Sequence, residues 1–213
     1  MKADNKSRII MKRDIDANII SSEKLMNSSD MAKLGCSNCE GCSDCCRDRA
    51  SAITLDAWDI MLLKNGLNYS FEGLINSGLI SLAAIDGIIL PTLSVRNDTE
   101  ECIFLDQEGR CSIHSFRPGI CRMFPLARLW HEDGSFSYFM QPGECSHSNG
   151  VKIKISKWLG YDNIREYESS VRIWHDALRE LRCRMAAVSS HEELITLQRS
   201  FLETWFVQDA PFS

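Results

Sequence analysis

Five of the ten cysteines of this 213-residue chain fall within one short run, Cys36-Ser-Asn-Cys39-Glu-Gly-Cys42-Ser-Asp-Cys45-Cys46-Arg47. Repeated two-residue gaps fold a loop so that several sulfurs converge within metal-bond length, and Gly35 and Gly41 supply the left-handed backbone such loops need. The neighbours are Ser, Asn, Glu and Asp, so these are not small apolar residues of a core. Cys102, Cys111, Cys121 and Cys145 follow, and Cys183 stands apart. The expected metal ligands are therefore Cys36, Cys39, Cys42, Cys45, Cys46, Cys102, Cys111, Cys121 and Cys145, with Cys183 structural or incidental.

Spacing bears on which metal. Cys36, Cys39, Cys42 and Cys46 fit the bacterial ferredoxin intervals of two, two and three, although Arg47 stands where Pro is usual and no second run exists. A zinc ribbon uses two separated CxxC pairs, and the distal cysteines contain none. The pattern favours one or two [4Fe–4S] clusters, with zinc as the alternative. Nine thiols exceed two four-thiolate sites by one: either Cys36 or one of Cys45 and Cys46 is surplus, or one site keeps an open position. The CxxxCxxC spacing of radical S-adenosylmethionine enzymes is absent, because Arg49 occupies its last position. His114 and His147 lie close to Cys111 and Cys145, but a regular strand would turn residues 111 and 114 to opposite faces. Four thiolates around a 2+ core leave an anion, so Arg47, Arg117 and Arg122 are expected to sit against the cofactor, with Arg49 exposed or alongside them.

The elements that must position these groups are short. Thr54 is expected to cap a helix through Trp58, Ile60 and Leu63 that stops at Asn65-Gly66, and Ser70 to open a second through Leu74 and Ile75 to Gly78. From Ile88 to about Met140 the pattern is β-like. It predicts a strand at Ile88–Val95 broken by Pro91, and a hairpin of Glu101–Leu105 with Arg110–His114 around a four-residue turn. If Leu105 opposes Arg110, then Cys102 and Cys111 become diagonal neighbours on one face, able to share a metal but poorly placed for a disulfide. Pro118 is expected to start a short helix whose dipole favours the Cys121 thiolate, ending by Pro125. Ile164, Tyr167, Val171, Trp174, Leu178, Leu181 and Met185 form a helical seam, and Ser190 with Glu193 opens a partner helix through Leu197, Phe201 and Trp205. The fold class expected is α+β: a small cysteine-rich metal-binding core with a β-hairpin and short helices, plus a C-terminal helical hairpin. The domains expected are an arm or helix over 1–34, the cysteine-cluster domain over 35–148 and a helical region over 149–213 packing on the core.

Composition narrows the function classes. Twenty-four Lys and Arg against 29 Asp and Glu give a net charge of −5, and without a Lys/Arg-rich run there is no footprint for nucleic acid or an anionic membrane. The N-terminus lacks the apolar core of a signal peptide, and Leu79–Leu90, interrupted by Ser81, Asp86 and Gly87, is too short to span a bilayer. The expectation is a cytoplasmic protein in a reducing compartment, where clustered cysteines bind metal or do redox work. Asp14, Asp16 and Asn18 fail as a calcium loop because Ile19 and Leu25 replace the required Gly and Glu.

At these residues the sequence resembles the CxxCxxCC cysteine-cluster family of zinc- or iron-chelating domains, which includes the flagellin lysine N-methylases. Cys39-Glu-Gly-Cys42-Ser-Asp-Cys45-Cys46-Arg47 is that motif. Cys102-Ile-Phe-Leu, Gly109-Arg-Cys111-Ser-Ile-His114, Arg117-Pro118 and Cys121-Arg122-Met-Phe-Pro125 follow in the family's order, and Cys145 completes a set of eight. The resemblance implies an iron–sulfur protein that modifies protein or peptide side chains with S-adenosylmethionine, as in lysine N-methylation. No glycine-rich cofactor loop supports S-adenosylmethionine binding independently. The other readings are a structural zinc module and an electron-transfer or redox-sensing iron–sulfur protein.

Overall fold

A computed structural model of the protein describes residues 24–34, 42–48, 50, 53–96, 98–141, 145 and 150–208. Cys36, Cys39, Gly35, Gly41, Arg49 and His147, which the sequence reading invoked, lie outside these residues. The architecture is α+β, with short helices among three antiparallel two-stranded sheets. Strand β1 (Met31–Leu34) pairs with β6 (Val151–Lys154), β2 (Ile80–Ile85) with β3 (Ile88–Leu93), and β4 (Leu126–Trp130) with β5 (Phe136–Met140). Helices α1 (Asp44–Asp48), α2 (Ala57–Leu67), α3 (Phe71–Asn76), α4 (Gly119–Met123) and α5 (Ile155–Leu159) sit among them, and α6 (Ile164–Ala187) and α7 (His191–Leu202) follow, the latter running into a π-helical turn at Glu203–Val207.

Isolated two-stranded sheets are marginal in water, so each leans on something else. The β2–β3 hairpin rests against α7, whose Gln198 side-chain oxygen accepts the outward Ile89 N–H at 2.9 Å. Leu55, Ile60, Leu63, Leu74, Ile80 and Ile88 bury the main core together with Trp174, Leu181 and Phe206 from the C-terminal helices. Each such side chain contributes roughly 1.5–3 kcal/mol of burial. A second core gathers Leu34, Met123, Leu126, Tyr138, Ile155 and Leu159 around α4. The expected seam on α6 is present through buried Tyr167, Val171, Trp174 and Leu181, and Cys183 is exposed. Ser190 caps α7 by accepting the Glu193 N–H.

Several local expectations shift. Helix α2 is capped by Asp56, not Thr54: Asp56 and Asp59 accept each other's backbone N–H in a reciprocal box, while Thr54 bridges to Thr92. The helix runs through Asn65-Gly66 and ends at Asn68 in left-handed conformation (φ 56°). Gly66 serves space rather than termination, since a Cβ there would lie 2.5 Å from the Phe116 ring. Residues Ile80–Leu93 form one hairpin about Asp86-Gly87, both at positive φ (49° and 82°), a turn type that Asp-Gly between apolar runs favours. Pro91 does not break its strand. The two-residue turn makes Ile85 and Ile88 the first hydrogen-bonded pair, and alternation leaves Pro91, opposite Leu82, at a position whose N–H the ladder does not use.

The expected hairpin around Asp106–Gly109 is also corrected. Leu105 opposes Cys111 rather than Arg110, in an isolated bridge. Asp106 is the cause: its side chain accepts the Glu108 and Arg110 N–H groups at 3.0 and 2.7 Å, and its own N–H donates to Arg110 O at 2.8 Å. This lengthens the loop by one residue. Residues Cys102–Leu105 then close a tight turn instead of a ladder.

Candidate metal centre

Five thiols from four separate stretches of the sequence line one cavity of about 310 Å³: Cys45, Cys46, Cys102, Cys111 and Cys121. Helix α1 carries the first two, and the Cys102 N–H donates to Cys46 O at 2.8 Å, fastening the second segment to the first. Cys111 enters across the bridge to Leu105, secured by Ser112, whose N–H and hydroxyl both donate to Phe104 O at 2.9 and 3.0 Å. Cys121 comes from α4. The cavity continues past the sulfurs among apolar side chains that include Ile85, Leu93, Met123 and Leu126.

The thiols sense one another. Cys46 donates a hydrogen bond to Cys45 and brings its pKa down to about 7, against burial, with Arg117 assisting. The same bond, with burial and the neighbouring sulfurs, pushes Cys46 far up. Burial raises Cys102 and Cys111. Cys121 is raised well above a free thiol by burial first and then by the field of Asp59. The expected dipole effect on Cys121 is thus outweighed by desolvation, as a single turn of helix supplies too little field to offset the loss of water.

The flanking cations divide. Arg117 lines the cavity and favours the thiolates of Cys45 and Cys111. Arg47 instead forms an ion pair with Glu101 and donates from Nε to the Ser43 hydroxyl at 3.0 Å. Arg122 is 8% exposed, and its guanidinium donates to the carbonyls of Arg117, Ser115, Leu159 and Gly160, fixing α4 and the segment that leads into it to the end of α5. Arg122 is a clamp on the segment that carries Cys121. Arg96, which sequence reasoning passed over, also reaches the site: it donates to the Ile103 and Leu105 carbonyls and its charge lowers Cys102.

Asp59 was missed as well. It is 3% exposed, and its Oδ1 accepts the Gly119 N–H at 2.7 Å, tying α2 to the first residue of α4. An Asp-x-x-Asp box before an apolar run was the sequence signal, but only the fold brings its free oxygen to Gly119. Cys42 and Cys145 are half-buried and do not line the cavity. His114 is exposed and lies outside the cavity too. Among the described residues, no three His, Cys, Asp or Glu side chains form a group that could grip a single ion; the five thiols line a shared cavity instead.

This arrangement defines a thiol-lined chelating site in a small α+β domain. The model of the CxxCxxCC family, described as "Putative zinc- or iron-chelating domain", matches residues 38–146, just over half the chain, and the protein belongs to that family. No curated protein and no solved structure matches it. Among the described residues no helix is long and apolar enough to cross a membrane.

Proposed function

We propose that the cavity thiols hold an iron–sulfur centre of the [4Fe–4S] type, and that the protein serves modification of a protein or peptide side chain. The observation that carries the first part is the size of the cavity relative to its thiols. A structural zinc ion sits closed between four ligands about 2.3 Å away, leaving nothing to fill the apolar remainder of a 310 Å³ space whose lining includes five cysteines. A cluster core of several irons and sulfides suits that span, and the dry lining with Arg117 at its edge is how proteins tune such centres. When bound, a [4Fe–4S] cluster supplies electron transfer or an open iron for a substrate donor atom.

The second part rests on the family resemblance. In lysine N-methylation a methyl group leaves the sulfonium of S-adenosylmethionine for the lysine nitrogen, releasing S-adenosylhomocysteine and a proton. The residues Ile85, Leu93 and Leu126 offer an apolar channel of the kind a lysine stem would occupy.

Anaerobic purification tests the metal. A brown protein containing iron and acid-labile sulfide is expected; colourless protein with stoichiometric zinc and no sulfide overturns the cluster. Equilibrium dialysis with labelled S-adenosylmethionine tests the activity class. Binding that perturbs the spectrum of the reduced cluster is expected of the modifying enzyme, and no binding points to an electron carrier or sensor.

A further inference from the structure

A second cavity, of about 810 Å³, runs beside β6. It is lined by all four strand residues, Val151, Lys152, Ile153 and Lys154. Successive side chains of a strand point to opposite faces, so a groove bounded by four in a row follows the strand's edge. Backbone alternation agrees. The Ile155 N–H donates to Asp30 O at 2.9 Å. Counting back through the antiparallel register, Ile153 and Val151 spend their backbone groups on β1, whereas those of Lys152 and Lys154 point away from it. Among the described residues β6 pairs with β1 alone.

The groove is strongly basic. Arg117, Arg122, Lys152, Lys154, Lys157 and His114 line it, and among the described residues no carboxylate does. The buried Arg122 spends its hydrogen bonds on carbonyls, so none of them neutralises its charge. In a chain whose net charge is −5 this is a local reversal of sign. Met31 and Val151, 51% and 69% exposed, add apolar contacts at the groove.

We infer that this edge is a docking site for an extended acidic segment of a partner protein, which adds a strand alongside β6. The N–H and C=O of Lys152 and the N–H of Lys154, which face away from β1, supply the ladder, and Asp or Glu side chains of the incoming strand meet the lysines. Alternate apolar residues of that strand lie on the face opposite the lysines, beside Val151. Arg117 lines both this groove and the thiol cavity, so a docked strand passes beside the metal centre. The inference does not depend on which metal the thiols hold or on any reaction there.

The test uses the full chain with its metal and a fluorescein-labelled octapeptide of alternating Glu and Val, read by fluorescence anisotropy. Saturable binding is expected, weakened by about tenfold in Lys152→Glu/Lys154→Glu. The same peptide with every second amide N-methylated should also bind the unaltered protein about tenfold more weakly, because its ladder hydrogen bonds are lost. Absence of binding overturns the inference, as does equal affinity for the charge-reversed variant with unchanged metal content. Equal affinity for the methylated peptide, or displacement of the peptide by inorganic tripolyphosphate at matching concentrations, also overturns it by showing a simple anion site. The methylated-peptide arm needs no variant, so the outcome stands even if the charge reversal misfolds.

Discussion

Cys45 and Cys46 are adjacent on α1 yet differ widely in acidity, because the Cys46 S–H donates to the Cys45 sulfur and favours its thiolate. In metal-free, reduced protein Cys45 should therefore alkylate with a half-maximal rate near pH 7, and Cys121, whose thiol is raised by burial, should react more slowly at the same pH. Mass spectrometry after iodoacetamide pulses at graded pH reads this directly; labelling of Cys121 ahead of Cys45 would contradict this order. A second expectation concerns ligation: Cys121→Ala should lose metal and Cys183→Ala should retain it. Equal loss from both would remove the distinction between cavity and surface thiols. At this scale much was legible in advance, since clustered thiols among polar neighbours leave few other chemistries. The roles of the arginines were not, because Arg47 and Arg122 found a carboxylate and carbonyls that sequence spacing does not disclose.

Short elements deliver the thiols, so their anchoring decides the site. Asp59 accepts from Gly119 and from Asp56, at 2.7 and 3.2 Å. An Asn there has one carboxamide oxygen and would aim N–H at the other donor. Asp59→Asn should loosen the start of α4 and lower metal affinity by about 10–100-fold, the range typical of groups that orient ligands. Competition against a chelator measures it, and unchanged affinity would show that α4 is held by Arg122 alone. Close packing makes a second prediction. A Cβ on Gly119 would fall 2.2 Å from the Tyr167 hydroxyl, so Gly119→Ala should cost about 1–3 kcal/mol in denaturant unfolding. Adding Tyr167→Phe removes the clashing oxygen and should recover part of the loss; no recovery would place the strain in the backbone. The C-terminal seam was readable because helical period and burial coincide there. The loop before Cys111 was not, as a single Asp106 side chain reset its register.

Across the whole molecule the C-terminal helices and the cysteine domain share one core, with Trp174 and Phe206 packed among residues that back the thiol cavity. Metal and fold should therefore be linked. Cys102, Cys111 and Cys121 have their thiols raised by burial, and each must release its proton to ligate. Metal binding should weaken progressively as pH falls, and its loss should lower the melting temperature of the entire chain in a single transition. Calorimetry with and without chelator checks this. A C-terminal transition indifferent to metal would mean that the helices fold independently of the centre.

The amino-acid order alone determined the family, the chelating chemistry, the α+β class and the amphipathic C-terminal helices, because each is written in residue type or in local period. Tertiary structure decided the rest. Which thiols face a common space, that Asp59 steadies α4, that Arg117 serves the cavity while Arg122 clamps its wall, and that four strand residues border a basic groove all depend on segments meeting across tens of residues. Such meetings are set by the burial of two apolar cores and by single side chains that fix loop register, and neither leaves a repeating mark in the sequence.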